Sequence, residues 1–320
     1  MGAAGVFKAA RAARVPGVTL LSLCAGLAAC ATPGQAPSGA WVSAARFCDR
    51  PQVHDARQQD RMLRFAAIVR DALDASGEAV ALVSRTGMDL RRLGIRFTHS
   101  GVSLRDGGDV RWAVRQLYYA CDEGRPRLYD QGVAGFLFNT DEPATGHVSI
   151  VLLPAGPATQ LLRAALDKPL ALRLLAARYS ANAYPFSTRY QNCNQWVMEL
   201  LAAAWGELAN GDDLRERAQA WLASSGYAPP PVDLDSHWLK FAVALMPLVH
   251  LDDHPDADRD GLSFRLSLPS ALEAFVRDRL PDARRLELCH DGQQVVVREG
   301  WRPIVPGCRP EPGDRVVALG

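Results

Sequence analysis

Two hydrophobic periods alternate along this chain, and the switches between them mark its elements. Met62, Phe65, Ala66, Ile68, Val69 and Leu73 recur at helical spacing and stop at Ser76-Gly77, which predicts a helix ending there. Residues 79–84 form a short apolar run that reads as a buried strand. Over 95–104, Phe97, His99 and Gly101 alternate with Thr98, Ser100 and Val102, and Asp106-Gly107-Gly108 turns the chain into a second strand over 110–119. Together these predict a hairpin carrying His99. A third strand over 148–153 ends at Pro154, ahead of a Leu- and Ala-rich helical stretch broken near Pro169.

Further along, a polar and aromatic loop leads into Trp196, Val197, Leu200, Leu201 and Ala204, one apolar stripe of a helix. Asn192 is then its N-cap, and Cys193 sits in the first turn. Asp130 is expected to cap a short helix over 131–138. Beyond Gly226 three consecutive prolines mark a boundary, followed by a helix over 238–248, a solvated acidic loop, and a strand-rich tail from about 284 to 319. The expected organisation is a signal segment over 1–29, a tether over 30–45, an α+β domain over 46–226 and an extension over 227–320.

The N-terminus changes the picture of where the domain works. Lys8, Arg11 and Arg14 precede an apolar run over 18–29, the layout of an export signal and too short for a comfortable bilayer span. It closes with Leu27-Ala28-Ala29-Cys30, which resembles a lipobox. That resemblance implies cleavage before Cys30, a diacylglycerol thioether on its sulfur, and anchoring to a membrane by lipid. Ala31 stands where an inner-membrane retention signal would place Asp, which points to the outer membrane facing the periplasm. The Pro-, Gly- and Ser-rich stretch 32–39 suits a flexible tether.

Composition narrows the partners. A net charge of +1 across 320 residues, with no basic run longer than an Arg pair in the mature chain, argues against nucleic acid or an acidic polymer. Seven cysteines are present. Cys24 leaves with the signal and Cys30 carries lipid, so an odd number remains for an oxidising compartment. Cys289 and Cys308 flank a strand pair and form one expected bridge; Cys48 with Cys121 is a second. Cys193 is then left free.

A free thiol at a helix N-terminus is a candidate nucleophile, because the helix end and a nearby imidazolium both stabilise a thiolate. The imidazole would come from His99. Acyl transfer also needs a group to orient that ring, for which Gln116 on the paired strand is the candidate, with Arg115 or a residue further along as alternatives. Arg85, Asn192, Asn194 and Tyr190 are candidate substrate contacts, and Tyr184 and Phe186 could wall a cleft. Against this stand ordinary readings: a core thiol packed with Trp196, a satisfied histidine, a salt-bridged arginine. The polar neighbours Gln191, Asn192, Asn194 and Gln195 favour a site over a dry core.

Thr98-His99-Ser100-Gly101-Val102 with Asp106-Gly107 resembles the catalytic-histidine strand of NlpC-type papain-like hydrolases. With His99 preceding Cys193, the order is similar to the circularly permuted branch of that superfamily. The resemblance implies an α+β papain-like core in which a small antiparallel sheet packs on the cysteine-bearing helix. It also implies a Cys193 nucleophile and a His99 base acting on amide, peptide or acyl bonds in cell-wall or lipid material. The span 79–200, with Ser84-Arg85-Thr86-Gly87, Leu128-Tyr129-Asp130 and the run Tyr190 to Trp196, also resembles an uncharacterised family of secreted bacterial proteins. Such chemistry needs no cofactor. Asp256, Asp258, Asp260 and Gly261 match half of a calcium loop, but Ser267 replaces its bidentate Glu, and Pro255 disfavours a helical His250–His254 pair; no metal is assigned.

Overall fold

The computed structural model describes residues 53–105, 111–140 and 143–319. The signal segment, Cys30, the tether and Cys48 lie outside the described residues. The described part falls within one compact unit, Val42–Gly320. Helix α1 (Ala56–Ser76) opens on a capping box between Asp55 and Gln58 and stops at Gly77, whose φ of 75° suits a residue without a side chain. Strands β1 (Val80–Arg85), β2 (His99–Arg105), β3 (Trp112–Ala120) and β4 (Arg125–Gly132) follow, then α2 (Val133–Phe138) and β5 (Gly146–Leu152).

Helices α3 (Ala155–Leu166), α4 (Lys168–Arg173), α5 (Cys193–Trp205) and α6 (Leu214–Ser224) come next. Pro169 stands in the first turn of α4, where its missing N–H costs nothing. After β6 (Pro231–Asp233), α7 (His237–Ala244), α8 (Asp256–Gly261), β7 (Ser263–Arg265) and α9 (Pro269–Arg279), the chain ends in β8 (Arg284–His290), β9 (Gln294–Glu299) and β10 (Arg315–Ala318).

The fold is α+β, and its sheet is larger than expected. Eight antiparallel strands run in the order β10-β9-β8-β5-β1-β2-β3-β4. The strand-rich tail is part of this sheet, because β8 pairs with the edge of β5 that β1 leaves open. Two cores follow from strand alternation. Val80, Leu82, Val102, Leu104 and Leu117 face α3, α5 and α9, while Ala81, Val83, Trp112, Val114 and Ile150 face α1 and α2.

Two local expectations are corrected. Asp130 caps no helix: it lies in β4 opposite Arg115, which donates to both its oxygens at 2.7 and 2.6 Å, and Gly132 is the N-cap of α2. The acidic segment is no solvated loop but contains α8, whose Asp258 is nine-tenths buried and takes two hydrogen bonds from Arg265. An arginine seven residues along gives that carboxylate its partner.

Candidate functional site

The ladder of the sheet is interrupted at one place. The β1–β2 ladder extends to Arg85↔His99 and the β3–β4 ladder to Ala120↔Arg125, yet the β2–β3 ladder stops at Val102↔Arg115. Beyond that pair the ladder between β2 and β3 ceases while the strands stay close, and this break is the fork around which the candidate residues gather. Gly101 sits at its vertex. A Cβ there would lie 2.6 Å from Val114 Cγ1, 2.9 Å from the Arg115 carbonyl and 3.3 Å from Gln116 Cβ.

The N-terminus of α5 fills the fork from one face. Asn192 caps the helix through its side-chain oxygen, which accepts from the Gln195 N–H at 2.8 Å. Asn194 Nδ2 donates to Thr98 O at 3.2 Å and to Ser267 O at 3.1 Å, and Cys193 Sγ stands 4.0 Å from Thr98 O. The N–H groups of Ser100, Asn194 and Cys193 itself are turned to the sulfur.

His99 approaches from the other face. Its ring stacks on Tyr118 at 4.6 Å between centroids and lies 5.9 Å from Phe136 of the α1–α2 core. Nε2 is 2.7 Å from Gln116 Oε1, while Gln116 Nε2 donates to Gln131 Oε1 at 2.7 Å. The missing side chain at Gly101 lets Gln116 lie across β2 to make this bond. Cys193 and His99 thus meet the same stretch, 98–100, from opposite sides, and no hydrogen bond joins them among the described residues. Arg115 is the alternative orienter that the structure places elsewhere, on the α5 face with Asp130 and the Ala165 carbonyl.

Electrostatics keep both groups neutral. Burial pushes the Cys193 thiol up to about 11, against the opposing pull of the Ser100 N–H, the Arg85 charge and the N–H groups of the helix start. Burial, and then the Arg85 charge, push His99 well below its ordinary value, which the Gln116 bond only partly offsets. The helix end that would favour a thiolate is present, but desolvation outweighs it. Cys193 is 6% exposed and His99 7%.

The other candidates are held by the protein. Arg85 is buried and donates to Thr86 O, Asn139 O and Tyr118 Oη, leaving Nε unpaired. Asn192 Nδ2 reaches Ala181 O and Ser267 O. Tyr190 stacks on His250 at 4.5 Å and bonds Arg178 at 2.7 Å. Tyr184 packs against Phe186 and His254. Asn194 keeps a buried, unpartnered Oδ1 beside Cys193.

Sequence reasoning missed why the polar run around Cys193 exists. Gln191 and Gln195 donate to the fully buried Glu199 at 2.6 and 3.1 Å, and Gln219 and Arg215 complete its shell at 2.8 Å. These side chains build an internal ion-pair network behind the helix start. The Glu four residues after Gln195 was the available signal. In the acidic stretch, Asp256 pairs with Arg259, Asp258 with Arg265, and His254 Nε2 lies 2.7 Å from Asn182 O.

The expected Cys289–Cys308 bridge is present, and Cys193 is free. Cys121 is disulfide-bonded as well, and its expected partner Cys48 is outside the described residues. No curated protein matches the chain, and no solved structure does. A family model spans residues 72–276, from the last turn of α1 through the fork and α5 into α9, and the chain therefore belongs to the family described as an uncharacterized protein conserved in bacteria (DUF2145).

Proposed function

We propose that this protein is a cell-envelope thiol hydrolase or acyltransferase working at the β2–β3 fork, in the manner of permuted NlpC-type papain-like enzymes. The observation that supports this best is that a helix-N-terminal thiol with backbone N–H donors turned to it and an imidazole held by Gln116 both border residues 98–100, though from opposite sides. With the Gln116 amide oriented so that Oε1 faces the ring, His99 carries its proton on Nε2 and offers Nδ1 as a lone pair. On this reading residues 98–100 must shift to bring the His99 ring to the sulfur; starting from a neutral pair, His99 then takes the thiol proton as Cys193 attacks an amide, peptide or acyl carbonyl. The N–H groups of Cys193 and Asn194 stabilise the oxyanion, and His99 returns the proton to the leaving group. Cell-wall or lipid material is the expected substrate class. The disulfides at Cys289–Cys308 and Cys121 suit an oxidising compartment, in line with export and lipid anchoring at Cys30.

A second reading is supported by burial: a catalytically silent envelope protein whose groove binds a glycan, peptide or partner. Thiol alkylation separates the two. For an enzyme, iodoacetamide modifies Cys193 near pH 7 at least tenfold faster in the wild type than in His99→Ala, and a p-nitrophenyl ester leaves an acyl group on Cys193. Equal alkylation rates, both rising only toward pH 11, with no acyl adduct, would leave the binding reading in place.

A further inference from the structure

A second sulfur site lies further along the sheet, in the β5–β8 pair. His147 of β5 lies opposite Cys289 of β8, and its Nε2 is 3.3 Å from Cys289 Sγ. On its far side Nδ1 is 3.4 Å from Glu287 Oε1 and is buried without another hydrogen-bond partner. Glu287 is fully buried and receives Arg96 at 2.5 Å and Arg285 at 2.8 Å. Burial raises this carboxyl, but His147, Arg285 and Arg96 outweigh it and bring it down to about 2, so it stays ionised beside the imidazole. His290, on β8 next to Cys289, feels the His147 charge. The arrangement is carboxylate, imidazole, sulfur in a row.

The sulfur in that row belongs to the Cys289–Cys308 disulfide, whose other half, though only 1% exposed, is among the residues that line a cleft. Thr86, Gly87, Arg96, His147, Gly307 and Cys308 help line a cleft of about 410 Å³. The reacting atoms of His147, Cys289 and Cys308 all lie within 4.8 Å of one another. Cys308 has a φ of 52°, in the left-handed region that L side chains avoid. A bridge that only braced the tail would need neither the imidazole nor the buried carboxylate.

We propose that Cys289–Cys308 is an exchangeable disulfide, in which Cys308 is the sulfur attacked from the cleft and His147 protonates Cys289 as it leaves. The co-reactant is a dithiol. Its thiolate attacks Cys308 Sγ, forming a mixed disulfide; the Sγ–Sγ bond breaks and Cys289 departs with the electron pair, taking a proton from protonated His147, whose charge Glu287 balances. The second thiol, deprotonated, then displaces Cys308, which is protonated from solvent. Two electrons pass from dithiol to protein, and the dithiol becomes a disulfide. Run backward, the same steps oxidise the protein pair.

The oxidised full chain is treated with glutathione or dithiothreitol under native conditions, quenched in acid and mapped by mass spectrometry. The glutathione adduct is expected on Cys308. Dithiothreitol is expected to open Cys289–Cys308 at least tenfold faster than the disulfide at Cys121, and His147→Gln to slow that opening tenfold or more once rates are referred to the reagent's thiolate. An adduct on Cys289, or equal rates in wild type and His147→Gln, would overturn the roles given to Cys308 and His147, and opening that occurs only as the protein unfolds would make the bridge a structural brace only. If His147→Gln does not fold, the position of the adduct on the wild-type protein decides.

Discussion

His99 Nε2 and Gln116 Oε1 lie 2.7 Å apart, and the Gln116 amide is held in that orientation because its nitrogen donates to Gln131 at 2.7 Å. The imidazole proton is thereby assigned to Nε2. Nitrogen NMR near pH 7 should show the neutral Nε2–H tautomer for this ring, and a Nδ1–H tautomer would contradict the network. Gln116→Leu leaves a buried Nε2–H unpaired and should cost about 1–3 kcal/mol by denaturant unfolding.

Gly101 makes that bond possible, so Gly101→Ala should be unexpectedly costly. The added methyl meets Val114 Cγ1 and a backbone carbonyl well inside contact distance, and a backbone atom cannot swing aside. Overpacking of this kind costs about 1–3 kcal/mol. A urea midpoint equal to the wild type's would mean that the strands do not close at this vertex.

Much of this arrangement was legible beforehand, and the reasons are local. Helix α1, the hairpin strands and the Asn192 cap rest on periodicity and capping within a few residues, which the chain displays openly. Pairings across long separations are not displayed: nothing near β8 says that it will lie beside β5, and nothing near Asp130 says that Arg115 will face it. Cys193, His99 and Gln116 were legible as residue types in plausible elements. Their approach from opposite faces was not, because it depends on where the β2–β3 ladder ends. The polar run at 191–195 reads in the sequence as a sign of chemistry, whereas Gln191 and Gln195 surround Glu199.

That network carries its own prediction. Glu199 is fully buried, and Arg215 is its cation at 2.8 Å. Arg215→Met strands the carboxylate and should destabilise the protein by about 3–5 kcal/mol, while Glu199→Gln combined with Arg215→Met should recover part of the loss. Stability no better in the double variant than in Arg215→Met would show that the charge is not what the arginine compensates.

His290 sets an acid-side limit on stability. Its ring packs 4.6 Å from Phe65 and is 2% exposed. Burial, then the charge of His147, hold its pKa at about 4 instead of 6.5, with Asp291 opposing. The folded protein therefore keeps this ring neutral where the unfolded chain binds a proton. Its contribution is full above pH 6.5 and is lost as pH falls toward 4, a total on the order of 3 kcal/mol. His99 is shifted in the same direction and adds to the same slope. Glu287 acts lower, since its contribution is lost only as pH falls from 4.5 through about 2. Urea midpoints measured from pH 7.5 down to 5 should fall steeply for the wild type and less steeply for His290→Leu. Parallel lines for the two proteins would mean that this ring is already protonated in the native state.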